Sequence, residues 1–135
     1  MQRMTVPGLF PPPDYAHLAV VEAGERLVFT AGAVPLDADG TLVGPGDPVA
    51  QTHQVLANLA AALRAGGTDL RHVIASTVYV VATAPAELGA VWDVVRASGL
   101  ATDPAGQHTS TLLGVSCLGY PGQLVEITAV ATLPS

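Results

Sequence analysis

The stretch Val73-Ile74-Ala75-Ser76-Thr77-Val78-Tyr79-Val80-Val81 decides the fold. Six of its nine residues are β-branched and a seventh is aromatic, which marks a strand. Branched side chains lose rotamer freedom on a helix and pack well on a pleated surface. Both of its alternating faces are largely apolar, which predicts a central strand covered on both sides.

A helix is expected on each flank of that strand. Upstream, Asp47-Pro48 supplies an N-cap and a first-turn proline. Val55, Leu59 and Leu63 recur at four-residue spacing, and Gly66-Gly67 stops the run. Downstream, Thr83 and Pro85 open a second helix. Its apolar face is Leu88, Val91, Trp92 and Val95, and it ends at Ser98-Gly99.

Strands are expected further out. A hairpin is predicted from His17–Glu22 and Arg26–Val34, with Ala23-Gly24 as its turn. Pro35 ends its second strand, because proline cannot donate to a ladder. Ser110–Cys117 and Gln123–Thr132 form the closing pair, joined by a turn over Gly119–Gly122. The order is therefore ββαβαββ, with residues 1–14 irregular and residues 1–135 forming a single domain. Right-handed crossovers put both helices on one sheet face. The other face stays open, and Ile74, Val78 and Val80 are expected among its residues. An open apolar face in so small a chain predicts oligomerisation into a closed ring.

Composition narrows the functions. The chain has 135 residues, half of them apolar, a formal net charge of −6 and five arginines without one lysine. The arginines are scattered, whereas a nucleic-acid surface needs clustered cations, so nucleic acid is not an expected partner. Without lysine there is no lysine Schiff base. The four histidines show no HxH or HExxH spacing, so a metal is not expected. Cys117, the one cysteine, is expected to be a small buried hydrophobe. The N-terminal stretch has neither a signal peptide's apolar core nor a transit helix, and no apolar run reaches membrane length, so a cytoplasmic location is expected.

Four segments in order resemble the RidA/YjgF (Rid) family. Phe29-Thr30-Ala31-Gly32-Ala33-Val34-Pro35-Leu36 is similar to its strand end F-[TVS]-S-G-Q-I-P-L. Gln51-Thr52-His53-Gln54-Val55-Leu56-Ala57-Asn58-Leu59 is similar to its Q-T-R-Q-V-L-x-N-L helix. Val73–Val81 resembles V-V-K-T-T-V-F-L, and Leu124-Val125-Glu126-Ile127 resembles [AL]-V-E-I-E-A. The likeness runs from about Tyr15 to Thr132.

The resemblance implies an α/β (α+β) chorismate-mutase-like fold and a homotrimer with a cleft between subunits. It implies hydrolysis of reactive imines or enamines to a carbonyl compound and ammonia, a deaminase chemistry that uses no cofactor. By the same resemblance Glu126 is the catalytic carboxylate that orients water. Gly32 supplies a backbone amide, and Tyr15 is the N-terminal tyrosine of the substrate site. The family's substrate-gripping arginine has no counterpart. Alignment on Gly114-Val115 puts Ser110 at its place, and alignment back from Glu126 puts Thr111 there. Trp92 stands where the family often has asparagine.

Each of these residues also has a plainer role. Glu126 can be an exposed strand carboxylate, Tyr15 and Trp92 packing groups, Ser110 and Thr111 ordinary strand residues. His108, beside the strand, could replace the arginine only when protonated. Losing an arginine–carboxylate pair costs about 1.5–3 kcal/mol, roughly tenfold to a hundredfold in binding a carboxylate substrate. The expected function is thus a cleft for a small metabolite with imine or enamine hydrolysis by Glu126. The alternative is a relative that binds a small molecule, or serves a specialised pathway, without deamination. Ribonuclease activity is a third alternative, which the acidic charge and missing lysine oppose.

Overall fold

The computed structural model describes residues 1–100 and 107–135. Its elements are β1 (Gln2–Met4), β2 (Leu18–Val20), β3 (Leu27–Phe29), α1 (Pro48–Ala65), a 3-10 turn (Leu70–His72), β4 (Val73–Val81), α2 (Pro85–Arg96), β5 (Thr109–Val115) and β6 (Val125–Thr132). Two helices pack on a mixed four-stranded sheet of order β3-β6-β4-β5. β4 is a central strand, antiparallel to β6 and parallel to β5.

Local chemistry accounts for the helices. Asp47 accepts from the amides of Val49 and Ala50 at 3.1 and 3.0 Å, as an N-cap should. Val55, Leu59 and Leu63 are fully buried along one face of α1, and Val91 and Val95 along α2. They meet Val78, Val80, Val125 and Ile127 from the sheet. Gln51 is also buried there. Its amide nitrogen donates to the carbonyls of Gly44 and Gly122, and its oxygen accepts from the Leu124 amide at 2.7 Å. One side chain thus ties α1 to both neighbouring loops.

Several expectations need correction. Residues 1–14 are not wholly irregular, because Gln2–Met4 forms β1 and pairs with β2 in a separate two-stranded sheet. The predicted hairpin is therefore absent: Gly24 does turn the chain, at φ 89°, but β2 and β3 join different sheets. Val78 and Val80 are buried under the helices, and Ile74 is buried beside the bulge at the start of β4, so they are not open-face residues. The open face carries Leu27, Phe29, Tyr79, Leu113 and Val130 instead, because register, not hydrophobicity, sets which side each residue takes. Cys117 is exposed, since β5 ends two residues before it.

The expected strand Arg26–Val34 is interrupted after Phe29. Phe29 pairs with Val130, but Ala33 bridges Ile127, so four steps along one chain match three along the other. The extra residue is a bulge. The Thr30 hydroxyl accepts from the Ala129 amide at 3.1 Å across the gap. No described helix is long and apolar enough to cross a membrane.

Candidate functional site

The bulge has a chemical result. It carries the Gly32 backbone onto the open face beside Glu126. A Cβ on Gly32 would lie 2.4 Å from Glu126 Oε2, so only glycine leaves this carboxylate its room. Glu126 Oε1 accepts from Gln123 Nε2 at 3.1 Å, which orients the group from the other side. Glu126 is half-buried, opposite Tyr79 on β4.

The remaining candidates gather elsewhere. Pro13, Tyr15, Trp92, Ser110, Thr111 and Leu112 line a cavity of about 380 Å³. The Tyr15 and Trp92 rings meet edge to face, with centroids 6.3 Å apart. Trp92 also packs against the core, so it serves packing and cavity together. Ser110 pairs across the ladder with Ser76 on the helix side, whereas Thr111 pairs with Thr77 on the open side.

These two groups do not meet within one chain. Ser110 lies opposite Ser76, Ser76 opposite Ala129, and Glu126 three residues further along β6. Strand spacing and rise put the Ser110 and Glu126 Cα atoms roughly 14 Å apart, on opposite sides of the sheet. The chain therefore carries two separate clusters, Gly32 with Glu126 on the open face and Tyr15 with Trp92 and Ser110 at the cavity, while Thr111 lines the cavity rim from the open side.

His108 does not replace the missing cation. It is fully buried, and its Nε2 lies 2.7 Å from the Ser76 hydroxyl. Burial pushes its pKa down to about 4, against the Leu100 carbonyl that favours the proton; the nearby Arg3 charge pushes it down further. It is neutral near pH 7. Ser76 in turn lies 2.9 Å from the Ser110 hydroxyl. The sequence reading missed Ser76; its signal was a polar residue in phase with buried Val78 and Val80 on one strand. Three of the five arginines are engaged elsewhere. Arg3 donates to the carbonyls of Arg71 and Val73, Arg71 pairs with Asp69 at 2.7 Å, and Arg96 pairs with Asp93 and Asp14.

Known proteins place the chain in a family. The family model described as Endoribonuclease L-PSP matches residues 11–133. A crystal structure of YyfB from Yersinia pestis, described as a protein of unknown function of the conserved Rid family, is 35% identical. It superposes with a TM-score of 0.84, covering 98% of this chain and 100% of that one. The E. coli TdcF structure with bound serine is 25% identical with a TM-score of 0.68, covering 99% and 96%. Protein DfrA of Myxococcus xanthus is 38% identical over 66 residues, 49% of this chain and 50% of that protein, so the match spans about half its length. By the extent of the family match and the Yersinia superposition, this chain belongs to the Rid/YjgF family.

Proposed function

We propose that this chain hydrolyses a reactive imine or enamine in a cleft completed between copies of itself. Glu126 orients the attacking water. The observation that carries this reading is the bulge that sets the Gly32 backbone against the Glu126 carboxylate. A carboxylate beside an open backbone segment can accept a proton from water as its oxygen attacks the imine carbon. Returned to the imine nitrogen, that proton completes a carbinolamine. The carboxylate then takes the carbinolamine hydroxyl proton and passes it to the nitrogen as the C–N bond breaks, so ammonia leaves and a carbonyl compound remains.

The cavity of Tyr15, Trp92, Ser110 and Thr111 is the second half of this cleft. Its distance from Glu126 within one chain supports a site shared between neighbouring subunits, in a homotrimer. The cavity offers hydroxyls and rings where an arginine would grip a carboxylate. The preferred substrate therefore lacks a carboxylate or is held by other groups.

Ammonia release from enzymatically generated 2-iminopropionate tests this. The wild type should act tenfold to a hundredfold more slowly than an arginine-bearing relative, matching the missing charged pair. Glu126→Gln should cost roughly a further hundredfold or more, the usual worth of a positioned acid–base group. A rate equal to that relative's would defeat the assignment of the hydroxyls. No acceleration of any imine would favour the second reading, a small-molecule binding protein on the same cleft.

A further inference from the structure

Gln123 lies just before β6 and is 3% exposed. Its side-chain oxygen accepts from the Tyr120 backbone N–H at 3.2 Å. Its side-chain nitrogen donates to the Val125 carbonyl and to Glu126 Oε1, both at 3.1 Å. We infer that Gln123 is a positioning residue for the Glu126 carboxylate: it occupies Oε1 and leaves Oε2, beside the Gly32 backbone, as the oxygen that takes the proton of the attacking water. The inference rests on the hydrolytic role proposed above for Glu126, and it names the oxygen that acts and the group that holds it.

The orientation of the Gln123 amide is fixed by backbone groups of set polarity. A backbone N–H only donates, and a carbonyl oxygen only accepts. Turned over, the amide would set its NH₂ group against the Tyr120 N–H and its oxygen against the Val125 carbonyl. Two pairings would be lost at a buried side chain, where unpaired polar groups are costly. The NH₂ group therefore faces Val125 and Glu126 and gives one hydrogen to each. Glu126 Oε1 receives one of them. On the other side of the carboxylate, a Cβ on residue 32 would overlap Oε2, and glycine leaves that space open. The carboxylate thus has one engaged oxygen and one open one. Oε1 is the less basic of the two, because a lone pair is already shared with an N–H, so the proton goes to Oε2.

Gln123 is itself held from both sides. Its backbone N–H donates to the Tyr120 carbonyl at 3.0 Å, in a turn where Gly122 takes φ 78°. Gln51 of α1 donates to the Gly122 carbonyl and accepts from the Leu124 N–H. A buried helix side chain therefore pins the main chain at 122 and 124, and the residue between them reaches the carboxylate. The plainer role for Gln123 is to brace this loop through Tyr120 and Val125 alone. That role affects stability and leaves the Glu126 side chain as it was.

Two measurements on the full chain separate the roles. NMR relaxation of the Glu126 Cγ methylene reads the positioning without catalysis. In the wild type this group should be as ordered as the β6 backbone. Gln123→Met, which keeps the length and removes the amide, should free it while the β6 backbone stays ordered. Equal order of the Glu126 side chain in both proteins overturns the proposal. The second measurement is steady-state hydrolysis of enzymatically generated 2-iminopropionate. Gln123→Met should lower kcat roughly tenfold to a hundredfold, the worth of one hydrogen bond to a charged group. KM should not change, because Gln123 stands behind the carboxylate and not against the substrate. An unchanged kcat, or a rise in KM alone, overturns the proposal. Gln123→Asn keeps an amide that stops a methylene short of Glu126. It should match Gln123→Met in both measurements and covers the case in which the methionine variant does not fold. A wild type that hydrolyses no imine defeats the function proposed above, and the relaxation measurement still decides the positioning.

Discussion

Gly32 shows how one missing side chain shapes a site. Its φ is not in the left-handed region, so the demand for glycine is steric rather than conformational. Gly32→Ala should destabilise by about 1–3 kcal/mol, as an inserted methyl does in a tight contact. Combining it with Glu126→Ala should recover most of that loss, because the clash partner is gone; urea denaturation of the two single variants and the double variant measures the coupling. His108 makes a second prediction at this scale. Its folded pKa, about 4, lies below the ordinary histidine value of 6.5, so the unfolded chain binds more protons between these values. Stability from this group is therefore present above pH 6.5 and lost as pH falls toward 4. The loss from pH 7 to pH 5 should be about 2 kcal/mol, since each pKa unit is worth about 1.4 kcal/mol. His108→Gln should flatten this slope in urea melts at the two pH values; an unchanged slope would assign the effect to other groups. Asp69 and Glu25 are also shifted downward by their cationic partners, but they act at lower pH.

At the scale of elements, α1 is held by more than its apolar stripe. The buried Gln51 side chain satisfies three backbone groups from two loops and β6's approach, in partly buried hydrogen bonds. Gln51→Ala should cost about 2–4 kcal/mol, because buried donors and acceptors are left unpaired. A cost below 1 kcal/mol in urea denaturation would mean water replaces the amide easily. Asp47→Ala should cost about 1 kcal/mol through the lost N-cap. Both helices were legible because a first-turn proline and an apolar stripe are local signals, joined in α1 by the Asp47 cap; in α2 the capping position is Ala84, with no side-chain cap. β3 was not, since its interruption depends on Thr30 taking a ladder position opposite Ala129 on a strand a hundred residues away. The partner of β2 was equally hidden, because a hairpin turn at Gly24 is compatible with strands that part company after it.

At the scale of the whole molecule, the open sheet face is the feature to test. Phe29 is 72% exposed and Leu27 and Leu113 about 40% each, on the two opposite edge strands of that face. That face should be covered by further copies of the chain, with a trimer in solution. Phe29→Glu and Leu113→Glu should shift the assembly to monomer in sedimentation experiments, because a charge buried in an apolar interface is costly. They should also abolish imine hydrolysis if the cleft is shared. A wild-type monomer at micromolar concentration would refute both expectations. The open face was legible in the strand and helix order but not in its residues: Val78 and Val80 were assigned outward, and the register puts them inward.

The sequence by itself determined the helices, the central strand, the family and the identity of the candidate residues. Each of these is written in local patterns of capping, period and motif, whose physics acts over a few residues. Only the tertiary structure decided how those residues are grouped. Side-chain alternation flips with a one-residue shift, and the bulge at Thr30–Gly32 is such a shift. It sets Gly32 against Glu126, while the β4–β5 register sets Ser110 against Ser76 and His108. Long-range pairing therefore separates the Glu126 carboxylate from the cavity, and that separation cannot be read along the chain.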